Sequence, residues 1–520
     1  MVHSFTAGLP GDPSEENRTR EVRGAFYSYV APTPPESDTF TLVAASADTA
    51  ALIDLDTAEL DSADFARVFA GAAPLTVHGA AVKSFAQCYG GHQFGSWAAQ
   101  LGDGRAISLA EVQNHRGERW ELQLKGAGQT PYSRRGDGRA VLRSSIREFV
   151  ASEAFQALGI PSTRALSIVA TNAPVLRDMF YDGRAKLESG AVVCRVARSF
   201  VRFGTFELQA SRGEGALVKQ LTDFVIREFY PEQGTPVAML AEVARRTAAL
   251  AAKWQAVGFV HGVLNTDNCS ILGETIDYGP YGWMEVFDTS FTPNTTDLPG
   301  RRYCYGNQPQ VMLWNVAMLA NALLQAGVVT REEAQEAVNG YGPRLKEEYE
   351  NLFAKKLGLR AYDGTLLDGL LDAMETDSLD FTRTFRMLAR VPSTAAAQDE
   401  STDQLLAPLT DVMPANLNAQ RRDAWAAWMR TYRSALAGEG RSDGERRAEQ
   451  DSVNPLYVPR NYLLQEAITA AEKGNHGPLH ELLEVLKRPY TEQPGREKFA
   501  AAAPEWALTT PGVCVLSCSS

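Results

Sequence analysis

A chain of 520 residues has room for three or four domains, or for one large catalytic unit with extensions, and its 44% hydrophobic and 22% charged residues are those of an ordinary globular protein. The formal charge of -12 weighs against a general binder of nucleic acid or of anionic membrane, because neither phosphate nor acidic lipid is drawn to such a surface. No run of about 18 apolar residues is present to span a membrane, and the six cysteines form neither a disulfide framework nor a Cys-x-x-Cys zinc pattern.

The first 37 residues carry Asp12, Glu15, Glu16 and Glu21 and lack an apolar signal core, poor material for a secretory signal or an acid-poor transit peptide. A cytoplasmic location follows as the expectation. Residues 1–40 are rich in Pro, Ser and acids, with Pro32, Pro34 and Pro35 close together, and predict an extended, mobile arm. Phe40 to Phe69 reads as a strand followed by helix. Next comes a Gly-rich stretch, Gly90-Gly91-His92-Gln93-Phe94-Gly95, leading into Gln100-Leu101-Gly102-Asp103-Gly104-Arg105. Glycines flanked by strand residues can bring backbone N–H groups close to phosphates, although an ordinary hairpin turn is written in the same way.

Trp120-Glu121-Leu122-Gln123-Leu124-Lys125 alternates apolar and polar residues and predicts a strand ending in Lys125. A second Gly-Asp-Gly-Arg follows at Gly136, Asp137, Gly138 and Arg139, and Val141 to Leu158 predicts an amphipathic helix bearing Glu148. A strand Lys facing a Glu of the following helix is the kinase order, while a surface Lys and a solvated Glu would be written with the same residues. Arg164 to Ala170 and Val192 to Ala197 read as buried strands. Arg195 interrupts the second, and Arg202 follows in a Phe-rich segment. Burying an Arg is costly unless it meets a carboxylate or phosphate, so both are candidates for an anion site, with internal ion pairs to Glu207 or Asp223 as the alternative.

Helices are expected from Ala216 onward: Leu217 to Glu228, Pro236 to Val257, Trp314 to Leu324, Arg331 to Lys355, Tyr362 to Met374 and Gln420 to Ala437. A charged linker is expected over 438–452, then helices at Asn461 to Glu472 and Gly477 to Lys487, and a tail containing Cys514 and Cys518. The pattern gives an α+β chain: a mobile arm (1–40), a β-rich nucleotide-binding lobe (41–210), a helical lobe with the catalytic and metal loops (211–437), and a linker, helices and Cys-containing tail (438–520).

The stretch that organises the chain is His261-Gly262-Val263-Leu264-Asn265-Thr266-Asp267-Asn268, followed by a strand-like Ser270 to Leu272 and then Asp277-Tyr278-Gly279. Kinase-like enzymes place a base and a metal-binding Asn on one loop and a metal-binding Asp a little later. Here the position of the usual base, five residues before Asn268, holds Val263, which accepts no proton. Asp267 is the available carboxylate. Taken alone, the same Asx residues would also serve as loop and turn formers.

Together these motifs, with Lys125-Gly126-Ala127-Gly128, Thr130-Pro131-Tyr132-Ser133-Arg134 and Arg202-Phe203-Gly204, closely resemble the selenoprotein O family over about residues 80 to 325. The resemblance implies a protein-kinase-like bilobal fold that binds ATP in reversed orientation. It further implies transfer of AMP to Ser, Thr or Tyr hydroxyls of proteins, with release of pyrophosphate. Carried over by motif, Asp267 becomes the base and Asn268 and Asp277 the ligands of Mg2+, with Mn2+ as the alternative. Lys125 would contact phosphates and pair with Glu148. Gly102, Gly104, Arg105, Asp137 and Gly138 would line the nucleotide, Asp277 would contact it through the metal, and Arg195 and Arg202 would hold its outer phosphates. An atypical kinase and an inactive scaffold are the competing functions. Cys518 stands where many eukaryotic members carry selenocysteine, but no cysteine lies between Asp277 and Arg301 to pair with it. A eukaryotic source would open a mitochondrial location.

Overall fold

The computed structural model describes residues 1–33, 37 and 39–517. Its β-rich part is built on an eight-stranded sheet, antiparallel throughout. In chain order the strands used below are β1 (Tyr27–Tyr29), β2 (Thr41–Ala45), β3 (Phe85–Gln87), β4 (Gly90–Gln93), β5 (Ser96–Gln100), β6 (Ala106–Gln113), β7 (Arg119–Lys125), β8 (Ala140–Val141), β9 (Arg164–Arg177) and β10 (Lys186–Ala197). The sheet runs β1-β3-β6-β7-β10-β9-β2 with β8 beside β10, while β4 and β5 form a separate hairpin.

The alternation in β7 has a meaning that periodicity alone does not give. Leu122 and Leu124 enter an apolar core, as expected, but the polar face is also buried: Glu121 is 3% exposed and Gln123 0%. Register places Gln123 opposite Arg195 of β10, with Lys125 one step along on the same face. Helix α1 (Leu142–Leu158) crosses this sheet and ends at Gly159 in the left-handed region, so that Glu148 meets Lys125.

Residues 1–33 do not form the expected extended arm. Phe5, Leu9 and Phe26 are buried in the main core, and β1 is an edge strand of the sheet. The sequence hides this because Pro- and acid-rich composition averages over a few well-spaced aromatic anchors. Pro34 and Pro35 lie outside the described residues.

The rest is helical. Helix α2 (Phe203–Ser211) starts directly after Arg202, and α3 (Gly215–Phe229) and α4 (Pro236–Val257) follow. In α4 the signals agree: Thr235 caps the first turn, Pro occupies its start, and Gly258 closes it at φ 68. Two short strands, β11 (Phe259–Val260) and β12 (Gly282–Trp283), then pair antiparallel. They pinch residues 261–281 into one compact loop and so bring Asp267, Asn268 and Asp277 together.

Three expected elements are corrected. Ser270 to Leu272 is not a strand: Ser270 makes an isolated bridge to Arg202, and Ile271 N–H donates to Val201 O. The span Arg331 to Lys355 breaks at Gly340 into two helices, Arg331–Asn339 and Tyr341–Lys356. The charged linker contains a helix, Asp443–Val453, opened by a Ser442–Glu445 capping box and holding Arg446 and Gln450 buried, so its charges reflect one wet face rather than disorder. A further helix, Phe381–Leu388, was not anticipated. Among the described residues no helix is long and apolar enough to cross a membrane. Cys514 is a free thiol, whereas Cys518 lies outside the described residues.

Candidate active site

A cavity of about 660 Å3 is bounded by the turn after β5, the end of β7, the loop before β8, the end of β10, the start of α2 and the 261–281 loop. Gly102, Gly104, Arg105, Lys125, Asp137, Gly138, Arg195, Arg202, Asp267, Asn268 and Asp277 all line it, and Glu148 stands behind Lys125. The sequence-predicted residues, scattered over some 175 positions, therefore share one space. A larger cavity of about 1000 Å3, between β2, α1 and the helix Gly477–Leu486, holds no comparable convergence of charge.

The floor is an ion-pair network. Lys125 Nζ donates to Glu148 Oε2 at 2.5 Å, and Arg195 lies 3.4 Å from Glu148 Oε1 and 2.5 Å from Asp277 Oδ1. Arg195 also donates to Gln123, and Arg202 to Asp277 Oδ2 and, at 2.8 Å, to the backbone carbonyl of Asp267. Both arginine side chains are essentially buried, so they need these acceptors. The expected alternatives, Glu207 and Asp223, are not their partners: Glu207 bonds His92, and Asp223 pairs with Lys219. Burial alone would raise Glu148, but Lys125 and Arg195 hold it below the usual carboxylate range. Burial, with the positive charges of Arg195 and Arg105 against the opposing pull of Glu148, brings Lys125 down to about 7.

Asp267 is 6% exposed, and burial pushes its pKa up to about 6. Gln93 Nε2 donates to its Oδ2 at 3.2 Å, while Oδ1 has no hydrogen-bond partner. Oδ1 is enclosed against Gly91, while Asp267 as a residue lines the cavity. Gly91 must be glycine here, because a Cβ would collide with this carboxylate. Val263 lines the same cavity without a polar group.

Asn268 Nδ2 donates to Val263 O at 2.9 Å, which leaves its carbonyl oxygen as the group it can offer. His261 is neutral at physiological pH, with burial lowering it to about 4, and its Nε2 donates to Ile276 O at 2.8 Å. That bond ties the loop of Asp267 to the residue before Asp277. Asp277 itself sits at φ 60, a left-handed conformation uncommon for a residue with a Cβ. At the rim, Asp137 is exposed and pairs with Arg177 at 2.7 Å. Gly138 has φ 70 and packs against Gly128, where any side chain would collide with backbone.

Several participants were not singled out from sequence. Asp103, 2% exposed, accepts from Gln87 and Gln123 and lies 3.7 Å from Arg202. Its signal was the carboxylate between two glycines, Gly102 and Gly104. Gln123 was visible only as one of the polar positions of an alternating strand, and Gln93 as one letter of a Gly-rich motif.

The arrangement offers a cationic anion site, an acceptor carboxylate beside it, and two oxygen donors. Compared with known families, residues 14–487 match the model described as protein adenylyltransferase SelO. The chain belongs to this family. It is 49% identical over 533 residues to the protein nucleotidyltransferase YdiU of Aromatoleum aromaticum, covering 100% of this chain and 99% of that protein. It is 49% identical to the YdiU of an Azoarcus species (99% and 98% covered) and 48% identical to that of Rhodopirellula baltica (99% and 98% covered). Membership makes the chain a nucleotidyltransferase of the protein-adenylylating kind.

Proposed function

We propose that the chain has a kinase-like two-lobed fold, divided near residue 210, and transfers AMP from ATP to Ser, Thr or Tyr hydroxyls of proteins. The observation that supports this reading is that Asp267 lines the same cavity as three cations, Lys125, Arg195 and Arg202, with no carboxylate at position 263. In the reaction the hydroxyl oxygen attacks the α-phosphorus of ATP, and its proton passes to Asp267. The bond from the α-phosphorus to the bridging oxygen of the β-phosphate breaks, and pyrophosphate leaves. Lys125, Arg195 and Arg202 take up the charge that develops on the leaving group, an electrostatic role that dominates phosphoryl-type transfer. Gly102, Gly104, Arg105, Asp137 and Gly138 line the nucleotide's path.

A triphosphate entering the cavity offers Arg195 and Arg202 strong acceptors in place of Asp277, and that exchange frees the Asp277 oxygens. One carboxylate and one amide oxygen suit a hard cation that keeps water and phosphate as its other ligands, and among the described residues no cage of three His, Cys, Asp or Glu exists. Asn268 and Asp277 would hold Mg2+, with Mn2+ as the alternative, which supplies neutralisation of phosphate charge when bound.

ATP labelled separately at the α- and γ-phosphates tests the reading. Label from the α-phosphate is expected on protein, with labelled pyrophosphate released from the γ-position. Label from the γ-phosphate on protein would make the chain a kinase and refute the reversed nucleotide.

A further inference from the structure

The β4–β5 hairpin is bonded to the loop that carries Asp267 at three consecutive residues. His92 N–H donates to Thr266 Oγ1 at 2.7 Å, Gln93 Nε2 to Asp267 Oδ2 at 3.2 Å, and Phe94 N–H to Asn265 Oδ1 at 3.3 Å and Tyr303 Oη at 2.8 Å. Two of the residues this hairpin turns to solvent are aromatic: Phe94 is 37% exposed and Trp97 36%, beside Ser96 and Ala99. Phe94 also stands at φ 51, in the left-handed region where Gly or Asn is the ordinary choice at a turn. A partly exposed aromatic ring in a left-handed turn is thus unfavourable on two counts, and packing on Tyr303 covers only part of it. Such outliers gather where a surface has a task.

The rings are held in place from behind. Phe94 packs on Tyr303 with ring centroids 5.2 Å apart, and Tyr303 Oη donates to Asn265 at 2.7 Å. Trp97 lies against His92 (5.0 Å), His92 against Trp314 (5.3 Å), and the Arg302 guanidinium sits 4.8 Å over Trp314. Gln93 lines the nucleotide cavity, whereas the next residue, Phe94, faces outward. The hairpin therefore divides the nucleotide side of Asp267 from an aromatic outer side.

We propose that Phe94 and Trp97, with Arg302 at their edge, are the docking surface for the acceptor protein. An extended segment of the acceptor lies across the hairpin, sets an apolar or aromatic side chain on these rings, and presents its hydroxyl residue to Asp267. The occupant is the acceptor because the surface is continuous, through Gln93 and Asn265, with the loop that holds the proton-accepting carboxylate. In an extended chain alternate side chains share a face, so an anchoring side chain on the same face as the hydroxyl stands an even number of residues from it, two being the nearest. Arg302 favours an acidic over a basic neighbour on that segment. This inference rests on the reading of Asp267 as the proton acceptor.

The test is a peptide array in which one Ser, Thr or Tyr is flanked in turn by Phe, Leu, Ala, Glu or Lys, incubated with α-labelled ATP. Wild type is expected to label peptides with Phe or Leu two residues away about tenfold better than those with Ala, the worth of one aromatic contact. Phe94→Asn combined with Trp97→Ala should erase that preference and raise KM for peptide, while ATP affinity by calorimetry stays unchanged. Phe94→Asn alone suits its left-handed turn, so its melting temperature should not fall while the preference weakens, which separates docking from the packing lost with Trp97. Equal labelling across the series, labelling of none of it, or a preference that survives both substitutions would overturn the proposal. Asp267→Ala is the control for the underlying reading: if it labels the array as wild type does, the proton-acceptor assignment fails whatever the flanking preference.

Discussion

Replacing Glu148 by Gln removes one charge from the most buried part of the site and keeps its shape. Glu148 is 2% exposed and takes the Lys125 ammonium at 2.5 Å and Arg195 at 3.4 Å. Breaking a buried pair from one side leaves an uncompensated charge and costs about 3–5 kcal/mol, a large share of the roughly 5–15 kcal/mol that hold a domain folded. The amide oxygen still accepts one hydrogen bond, so the lower end, about 3 kcal/mol, is expected from urea unfolding. Lys125 then loses the neighbour that favours its protonated form and keeps two that oppose it, Arg195 and Arg105. In wild type it is already drawn down to about 7. The sign follows: in Glu148→Gln the ammonium is lost at neutral pH, and ATP affinity should fall by roughly 10–150-fold, the worth of one charge-assisted contact of about 1.5–3 kcal/mol. Affinity should recover in part as pH is lowered from 8 to 6, because protonation returns the charge. Calorimetric titration of ATP at pH 6, 7 and 8 measures this. An unchanged unfolding midpoint together with pH-independent, wild-type ATP affinity would refute the network as drawn.

Asp267→Ala should lower turnover by about 10²–10⁴-fold with ATP affinity little changed, read by single-turnover transfer of α-label. Asp277→Asn should abolish divalent-dependent ATP binding, seen by calorimetry with and without Mg2+. It should also lower stability, since Arg195 and Arg202 both lose an acceptor, so the loop-edge position of this Asp does not make it structurally neutral. Lys356 is buried with Asn454 as its acceptor at 2.7 Å, and burial lowers it to about 7. Below that value both folded and unfolded states are protonated and the burial cost is complete; above it the unfolded chain binds the extra proton and stability rises with pH. Lys356→Met should therefore stabilise the protein more at pH 6 than at pH 9, as measured by urea midpoints.

Most of the site was legible because its chemistry demands particular residue types: a Lys ending a strand, an Asp-Asn pair, an Asp before a Tyr-Gly turn. The helix Pro236–Val257 was legible to the residue because cap, Pro and Gly signals coincided. Apart from the Lys125–Glu148 pair, what escaped was whatever depends on pairing across distance. Nothing local in Arg195 or Arg202 names Asp277 as their shared acceptor, and Glu207, the nearer carboxylate in sequence, belongs instead to His92. Composition misled wherever a minority of residues decided the outcome, as with Phe5, Leu9 and Phe26 in the N-terminal segment and Arg446 and Gln450 in the charged one.

The polar face of β7 shows why this limit has a functional cause. Glu121, Gln123 and Lys125 alternate with leucines as the residues of a solvent-facing strand would, yet all three are buried. Glu121, which accepts hydrogen bonds from Ser108 and Gln87, is pushed up to about 8 by burial, so it lends little negative charge to the floor at neutral pH. Moving toward the cavity, the row passes from that neutral acid to an amide at Gln123 and to a cation at Lys125, with Arg195 beside it. A strand patterned to face water is thus turned inward from Glu121 to Lys125, and within that buried stretch the cation stands at the end where a phosphate would arrive, while Arg119 at the far end pairs with Glu228. Sequence periodicity cannot distinguish a wet face from a buried polar one, but the energetic difference is large. Groups buried in this way persist only where each finds a partner or a ligand supplies one. The orphaned Nε atoms of Arg195 and Arg202, like Oδ1 of Asp267, are among the places where the protein alone has not done so.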